Sequence, residues 1–141
     1  MAPTVATRQL DAAEERAVTD VLLRYATALD TRDWPLLRSC FSEDVEADYG
    51  SFGTWRGPRE ITEQMRRLHA DLGPTLLRLT NIAMRWDGGQ VCARCYVDAV
   101  LTPLEAGGTV HRGVGWFEDR LVRTSGGWKI SRRTFHPVLL E

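Results

Sequence analysis

At Gly73-Pro74 the hydrophobic period of the chain changes, and that change restricts its fold more than any other feature. Before it, apolar residues recur every three to four positions; after it, they recur every second position. The first half therefore predicts helices. One runs from about Asp11 to Asp30, with Asp11 as N-cap, Glu14 as its capping-box partner, and Val18, Val21, Leu22, Tyr25 and Leu29 on one face. A short one follows from Trp34 to Phe41, capped by Asp33 with Pro35 in its first turn. The alternating DVEADY, Asp44 to Tyr49, predicts a strand, and Gly57-Pro58 opens a third helix that carries Ile61, Met65 and Leu68 and stops at Gly73-Pro74. Four strands are then expected, over Leu76 to Trp86, Gln90 to Leu101, Val110 to Arg123 and Gly127 to Val138. Asp87-Gly88-Gly89 and Ser125-Gly126-Gly127 are hairpin turns.

Helices first and a meander of long strands after them make an α+β chain, a curved sheet wrapped around helices. That geometry encloses a pocket between the two layers. The 141 residues suit one domain, read here as a flexible tail over 1–9 and a single domain over 10–141. With 18 Lys+Arg against 19 Asp+Glu the chain is near neutral, which disfavours a nucleic-acid partner. No run approaches the length of a membrane span and the N-terminus lacks a signal-like apolar core, so a cytoplasmic protein with no membrane partner is expected. Cys40, Cys92 and Cys95 are too few for a disulfide scaffold, and the C-A-R-C pair lies in a strand where residues three apart face opposite ways. These are read as reduced thiols, with no metal site. There is no phosphate loop, nucleotide fingerprint, HExxH or GxSxG, so no cofactor is expected.

Several residues qualify for chemistry. Asp30 ends the first helix, where a carboxylate facing a pocket would serve as general base. Tyr25 lies on the apolar face of that helix, and a buried phenol is a donor for a developing oxyanion. The two stand about 140° apart on an ideal helix, so they converge only if the helix stops early or a ligand lies between them. Tyr49 closes a strand beside a glycine-rich turn, and Trp55 is a candidate lid. On the strand VCARCYVDAVL the apolar face (Val91, Ala93, Cys95, Val97, Ala99, Leu101) should line the interior. Arg94, Tyr96 and Asp98 then lie outside. His111 shares parity with Phe117 and is the sheet histidine best placed for a pocket. His69 and His136 read as structural or exposed, and the adjacent Arg132 and Arg133 as solvated.

Tyr25 to Gly53 (YATALDTRDWPLLRSCFSEDVEADYGSFG) and the strand end GGWKI resemble the SnoaL-like family of the nuclear-transport-factor-like superfamily, over roughly Leu10 to Thr134. That group includes scytalone dehydratase, bile-acid dehydratase, polyketide cyclases, ketosteroid isomerase and hexachlorocyclohexane dehydrochlorinase. The resemblance implies a cone-shaped α+β barrel of mixed, mostly antiparallel strands. LDTRDW resembles the scytalone dehydratase segment with the catalytic aspartate, which falls on Asp30; ADYGSF resembles the segment with a pocket tyrosine, which falls on Tyr49. Tyr25 with Asp30 resembles the tyrosine–aspartate pair of bile-acid dehydratase. The family's histidines fall on Leu77 and about Leu101, and its pocket asparagine on about Phe117. The arginine–aspartate arrangement of limonene epoxide hydrolase is a weaker match to Arg94 and Asp98.

The expectation is thus a cofactor-independent lyase, isomerase or cyclase acting by proton transfer on a hydrophobic ring-bearing or polyketide-like molecule. Asp30, Tyr25 and Tyr49 are the expected catalytic groups, with Trp55, Leu77, Leu101, His111 and Phe117 around the substrate. The alternatives are a non-catalytic binder, favoured by Leu77, Leu101 and Phe117, and an accessory subunit. The resemblance also implies a homodimer or homotrimer assembled through the sheet, and the outward Arg94 face is the candidate for part of that contact.

Overall fold

The computed structural model describes residues 8–141. All but the last two residues of the tail expected over 1–9 lie outside the described residues. Helix α1 (Ala12–Thr31) leads into α2 (Trp34–Arg38), strand β1 (Phe41–Asp48), a single 3-10 turn (Gly50–Phe52) and the short β2 (Thr54–Arg56). Helix α3 (Pro58–Leu68) and four long strands complete it: β3 (Leu72–Asp87), β4 (Gln90–Pro103), β5 (His111–Thr124) and β6 (Gly127–Leu140). The strands form one curled six-stranded sheet in the order β2-β1-β6-β5-β4-β3. Among the described residues only β1 and β6 run parallel; every other neighbouring pair is antiparallel. The sheet does not close into a barrel, but it is the α+β architecture expected.

Local chemistry starts α1 where the sequence indicates. Asp11 accepts from the Glu14 backbone N–H at 2.8 Å while Glu14 accepts from that of Asp11 at 2.9 Å, a complete capping box. Its buried stripe of Val18, Val21, Leu22, Tyr25, Ala28 and Leu29 lies against the inner face of the sheet. That face carries the alternation read in β4: Val91, Ala93, Cys95 and Val97 are buried, whereas Arg94 and Tyr96 are exposed. The three cysteines are free thiols, and burial pushes Cys40 and Cys95 up to about 11.

Several boundaries differ from the sequence reading. Helix α2 ends at Arg38, and Phe41, expected as its last residue, opens β1 because it pairs with Ile130 of β6. Strand β3 begins at Leu72 and passes through Gly73-Pro74, which ends no helix; α3 has already stopped at Leu68. A proline is tolerated there because β3 is an edge strand, with one side free of ladder bonds. The three-residue β2 is too short to show a period and has no counterpart in the sequence reading.

Candidate active site

A cavity of about 400 Å³ lies between α1, α3 and the inner face of the sheet. Tyr25, Tyr49, Leu77, Leu101, His111 and Phe117 all line it, together with Leu29, Met65, Leu72, Val97 and Phe135. Its wall is therefore mostly apolar, and its mouth is edged by the exposed Phe52, Leu68 and Leu140.

The buried polar group in that wall is a pair of phenols. Tyr25 Oη and Tyr49 Oη lie 2.5 Å apart. Each phenol has one proton, so when one donates to the other a single O–H remains for a ligand. Burial pushes both above the ordinary tyrosine value, Tyr25 further than Tyr49, and the cation of Arg133 only partly offsets this. Both are neutral donors at physiological pH. Aromatic edges fix their orientation: Phe117 meets Tyr25 at 5.8 Å and Tyr49 at 6.1 Å between centroids.

Behind the pair lies a group that the sequence reading missed. Arg133, expected in solvent, is completely buried. Its guanidinium lies 4.2 Å from the centroid of Tyr25 and 3.8 Å from that of Phe117. Nε and Nη2 donate to the two carboxylate oxygens of Asp119, at 2.7 and 2.8 Å. Burial works against the cation, but Asp119, with further help from the tyrosine oxygens, holds it charged well above the ordinary arginine range. Nη1 has no hydrogen-bond partner among the described residues. Strict alternation from the buried Trp128 and Ile130 would place Arg132 inside. A register shift opposite Arg120 and Leu121 inserts Ser131 and turns Arg133 inward instead. Arg132 alone is exposed, as expected.

Asp30 is placed differently from its expected position. Helix α1 does not stop before it, so the wheel separation holds: Tyr25 faces the cavity and Asp30 faces β3. Its carboxylate accepts from the Thr75 hydroxyl at 2.9 Å and from the Leu77 backbone N–H at 3.0 Å. Arg32 bonds the same Thr75 oxygen and the Gly73 carbonyl, and the cluster braces the end of α1 to β3. Asp30 is not among the cavity-lining residues. Trp55 is not a lid either; it is buried and stacks on Tyr49 at 5.1 Å. Gly53 makes that possible, since a Cβ there would stand 2.7 Å from Trp55 Nε1.

His111 lies at the exposed rim, with Nδ1 2.8 Å from the Glu141 backbone oxygen. Asp98 binds Arg78 and Arg112 on the outer face, so no Arg94–Asp98 pair forms. His69, read from the sequence as structural or exposed, lines the cavity.

Comparison with known proteins places the chain. In solved structures, a protein provisionally named scytalone dehydratase from Novosphingobium aromaticivorans superposes with a TM-score of 0.84 at 21% identity, covering 92% of this chain and 87% of the other. One provisionally named aromatic ring hydroxylase, from the same species, gives 0.85 at 26% identity over 94% and 95%. The type-3 hexachlorocyclohexane dehydrochlorinase of Novosphingobium barchaimii gives 0.83 at 18% identity over 92% and 89%. An uncharacterised protein of Mycobacterium tuberculosis is 27% identical over 119 residues, 82% of this chain and 80% of its own length. Residues 11–134 match the SnoaL-like domain, with Tyr25, Tyr49 and Arg133 inside the match, and the chain belongs to that family.

Proposed function

We propose that the protein is a cofactor-free lyase, isomerase or cyclase that shifts a proton on a neutral, hydrophobic ring-bearing or polyketide-like molecule. The observation that carries this reading is the buried Tyr25–Tyr49 pair in a mostly apolar wall. The spare O–H donates to a substrate oxygen. When a C–H proton leaves, charge grows on that oxygen and the donation strengthens. The second phenol shares the charge, and the Arg133 cation beneath the Tyr25 ring lowers the cost of placing it in an apolar site. A cavity of about 400 Å³ is in the range of small-molecule sites and suits one or two rings.

The test uses neutral ring ketones, 2-tetralone among them. Binding is read as a raised melting temperature, and proton transfer as deuterium uptake at the α-carbon in D2O. The wild type should show both, and the Tyr25→Phe/Tyr49→Phe double variant should bind but lose exchange. A non-catalytic binder is the second reading, favoured by Leu77 and Leu101 in the wall. Binding without exchange across the panel would establish it.

A further inference from the structure

The outer face of the sheet, turned away from the cavity, carries a concavity of its own, about 500 Å³ in volume. Ladder register sets Arg85 of β3, Cys92 of β4, Arg120 of β5 and Arg132 of β6 side by side on one rung, about 14 Å from end to end at ordinary strand spacing. Arg94, two residues beyond Cys92, shares their face. Arg85, Arg94, Arg120 and Arg132 all line the concavity and all are exposed. Arg120 and Arg132 are direct cross-strand partners, and like charges so placed repel. The carboxylates nearby are committed elsewhere. Glu46, beside Arg132 in the β1–β6 register, binds Arg56 at 3.4 Å. Glu118, opposite Arg94, accepts from Trp116 Nε1 at 3.3 Å and lies 3.5 Å from His136 Nε2. Asp119 gives both oxygens to Arg133, and Asp87 serves Arg120 at 3.3 Å. Among the described residues, Arg85, Arg94 and Arg132 have no carboxylate within 4.0 Å.

We propose that this concavity binds a small ligand carrying two or more linked phosphate groups. The site is independent of the reaction in the cavity, from which the sheet separates it. A row of uncompensated cations works against the fold, and the repulsion becomes attraction once an anion lies among them. Each guanidinium fork can give a phosphate two parallel N–H bonds. A phosphate also offers oxygens in several directions, to arms that arrive from different strands, whereas a carboxylate offers one edge. Linked phosphates spread their charge along the rung: Arg120 and Arg132 hold one group, and Arg85 or Arg94 holds the next. Arg94 is steadied for this by the rings of Tyr96 and Trp116, whose centroids lie 5.8 and 5.3 Å from its guanidinium carbon. Two contrasts set the concavity apart from ordinary surface charge. The chain as a whole is near neutral, so the excess of cations is local. Further along the same face Arg78 and Arg112 are balanced by Asp98 between them, and no such carboxylate stands between Arg120 and Arg132.

The experiment titrates inorganic pyrophosphate into the protein by calorimetry, in metal-free buffer at constant ionic strength. It compares the wild type with Arg94→Gln, Arg132→Gln, their double variant, and Arg78→Gln as a control on the same face outside the concavity. The wild type should bind, and more weakly as salt is raised. Arg94→Gln and Arg132→Gln should each weaken binding by about 10-fold, the scale of a lost charge-assisted bond, and Arg78→Gln should leave it unchanged. Melting temperature without ligand checks the fold: Arg132→Gln removes the repulsion against Arg120 and should melt at or above the wild type. ADP separates two sources of the same chemistry. Binding tighter than that of pyrophosphate assigns the concavity to a nucleotide, and equal or weaker binding assigns it to the free anhydride. Citrate bound as tightly as pyrophosphate overturns the choice of phosphate. No binding by the wild type, or an affinity unchanged in the double variant, overturns the site. Light scattering on the same samples covers the other occupant: a wild type that self-associates, ignores pyrophosphate and dissociates in the double variant gives the concavity to a second copy of the chain and overturns the proposal.

Discussion

Arginine meets aspartate on both faces of the sheet, with opposite consequences. On the inner face Asp119 of β5 pairs across the ladder with Arg133 of β6, both side chains without solvent exposure. On the outer face Asp98 of β4 sits between Arg78 of β3 and Arg112 of β5, at 3.1 and 3.2 Å, with all three side chains in water. Residue types and distances are alike. What differs is strand parity, and parity decides whether the charges have water as an alternative partner. Inside, the arginine has only Asp119 and two aromatic faces; its cost was met when the core formed, and it leaves a fixed cation beside the phenols. Outside, each group exchanges its partner for water at little cost.

Removing one carboxylate from each cluster breaks the comparison most directly. Asp119→Asn leaves Arg133 buried without a counter-charge, and such losses cost about 3–5 kcal/mol. Urea unfolding should show a much lower midpoint with an unchanged slope. A midpoint near wild type would mean that Arg133 reaches water and that the inner cluster is not a sealed one.

A brace at the end of α1 comes next. Asp30→Ala removes both acceptors from Thr75 and Leu77, and an unsatisfied buried donor costs roughly 1–3 kcal/mol. Thr75 is buried, so the Leu77 amide and the Thr75 hydroxyl find little water in compensation. The expected sign is a lower urea midpoint, with tetralone still bound because Asp30 does not line the cavity.

These two clusters also mark what the residues disclose in advance. Helix α1 with its cap, the hairpin turns and the inward face of β4 are local patterns, carried by residues close in sequence. Tyr25, Tyr49 and Phe117 each stand out individually, but the bond between two phenols 24 positions apart depends on how α1 crosses β1. Arg133 is hidden for a sharper reason: the extra Ser131 reverses the alternation, and one inserted residue exchanges inside for outside. At Asp30 two signals conflict. Likeness to relatives points it into the cavity, whereas the helical wheel separates it from Tyr25, and the wheel is right. His69 offers no periodic signal at all. It follows the last turn of α3, and its place in the wall depends on α3 lying over the cavity.

Acid should expose a smaller difference, centred on His69. Its folded-state value lies below the unfolded one, near 6.5. The unfolded chain therefore binds more protons between the two values. The stability this group contributes is complete above pH 6.5 and is lost as pH falls from there toward the lowered folded value. Melting temperature followed downward from pH 7.5 should decline more for the wild type than for His69→Gln. Parallel curves would show that Nε2 is already hydrated.

The least change should come from Asp98→Asn, the outer counterpart of Asp119→Asn. Hydrogen bonding from Arg112, with the charges of Arg112 and Arg78, holds the Asp98 carboxyl below its ordinary value, so any stabilisation is present above about pH 4 and lost as pH falls below it. At neutral pH the group is ionised in both folded and unfolded chains, but the side chains are hydrated and salt screens them. Asp98→Asn should melt with the wild type at moderate salt, and any difference at low salt should vanish as salt is added. Asp119→Asn should instead keep its deficit across the same salt series, because the uncompensated charge lies where no counterion reaches it. Equal salt dependence in the two variants would show that the inner pair is solvated like the outer one, and the fixed cation behind Tyr25 would be lost from the mechanism.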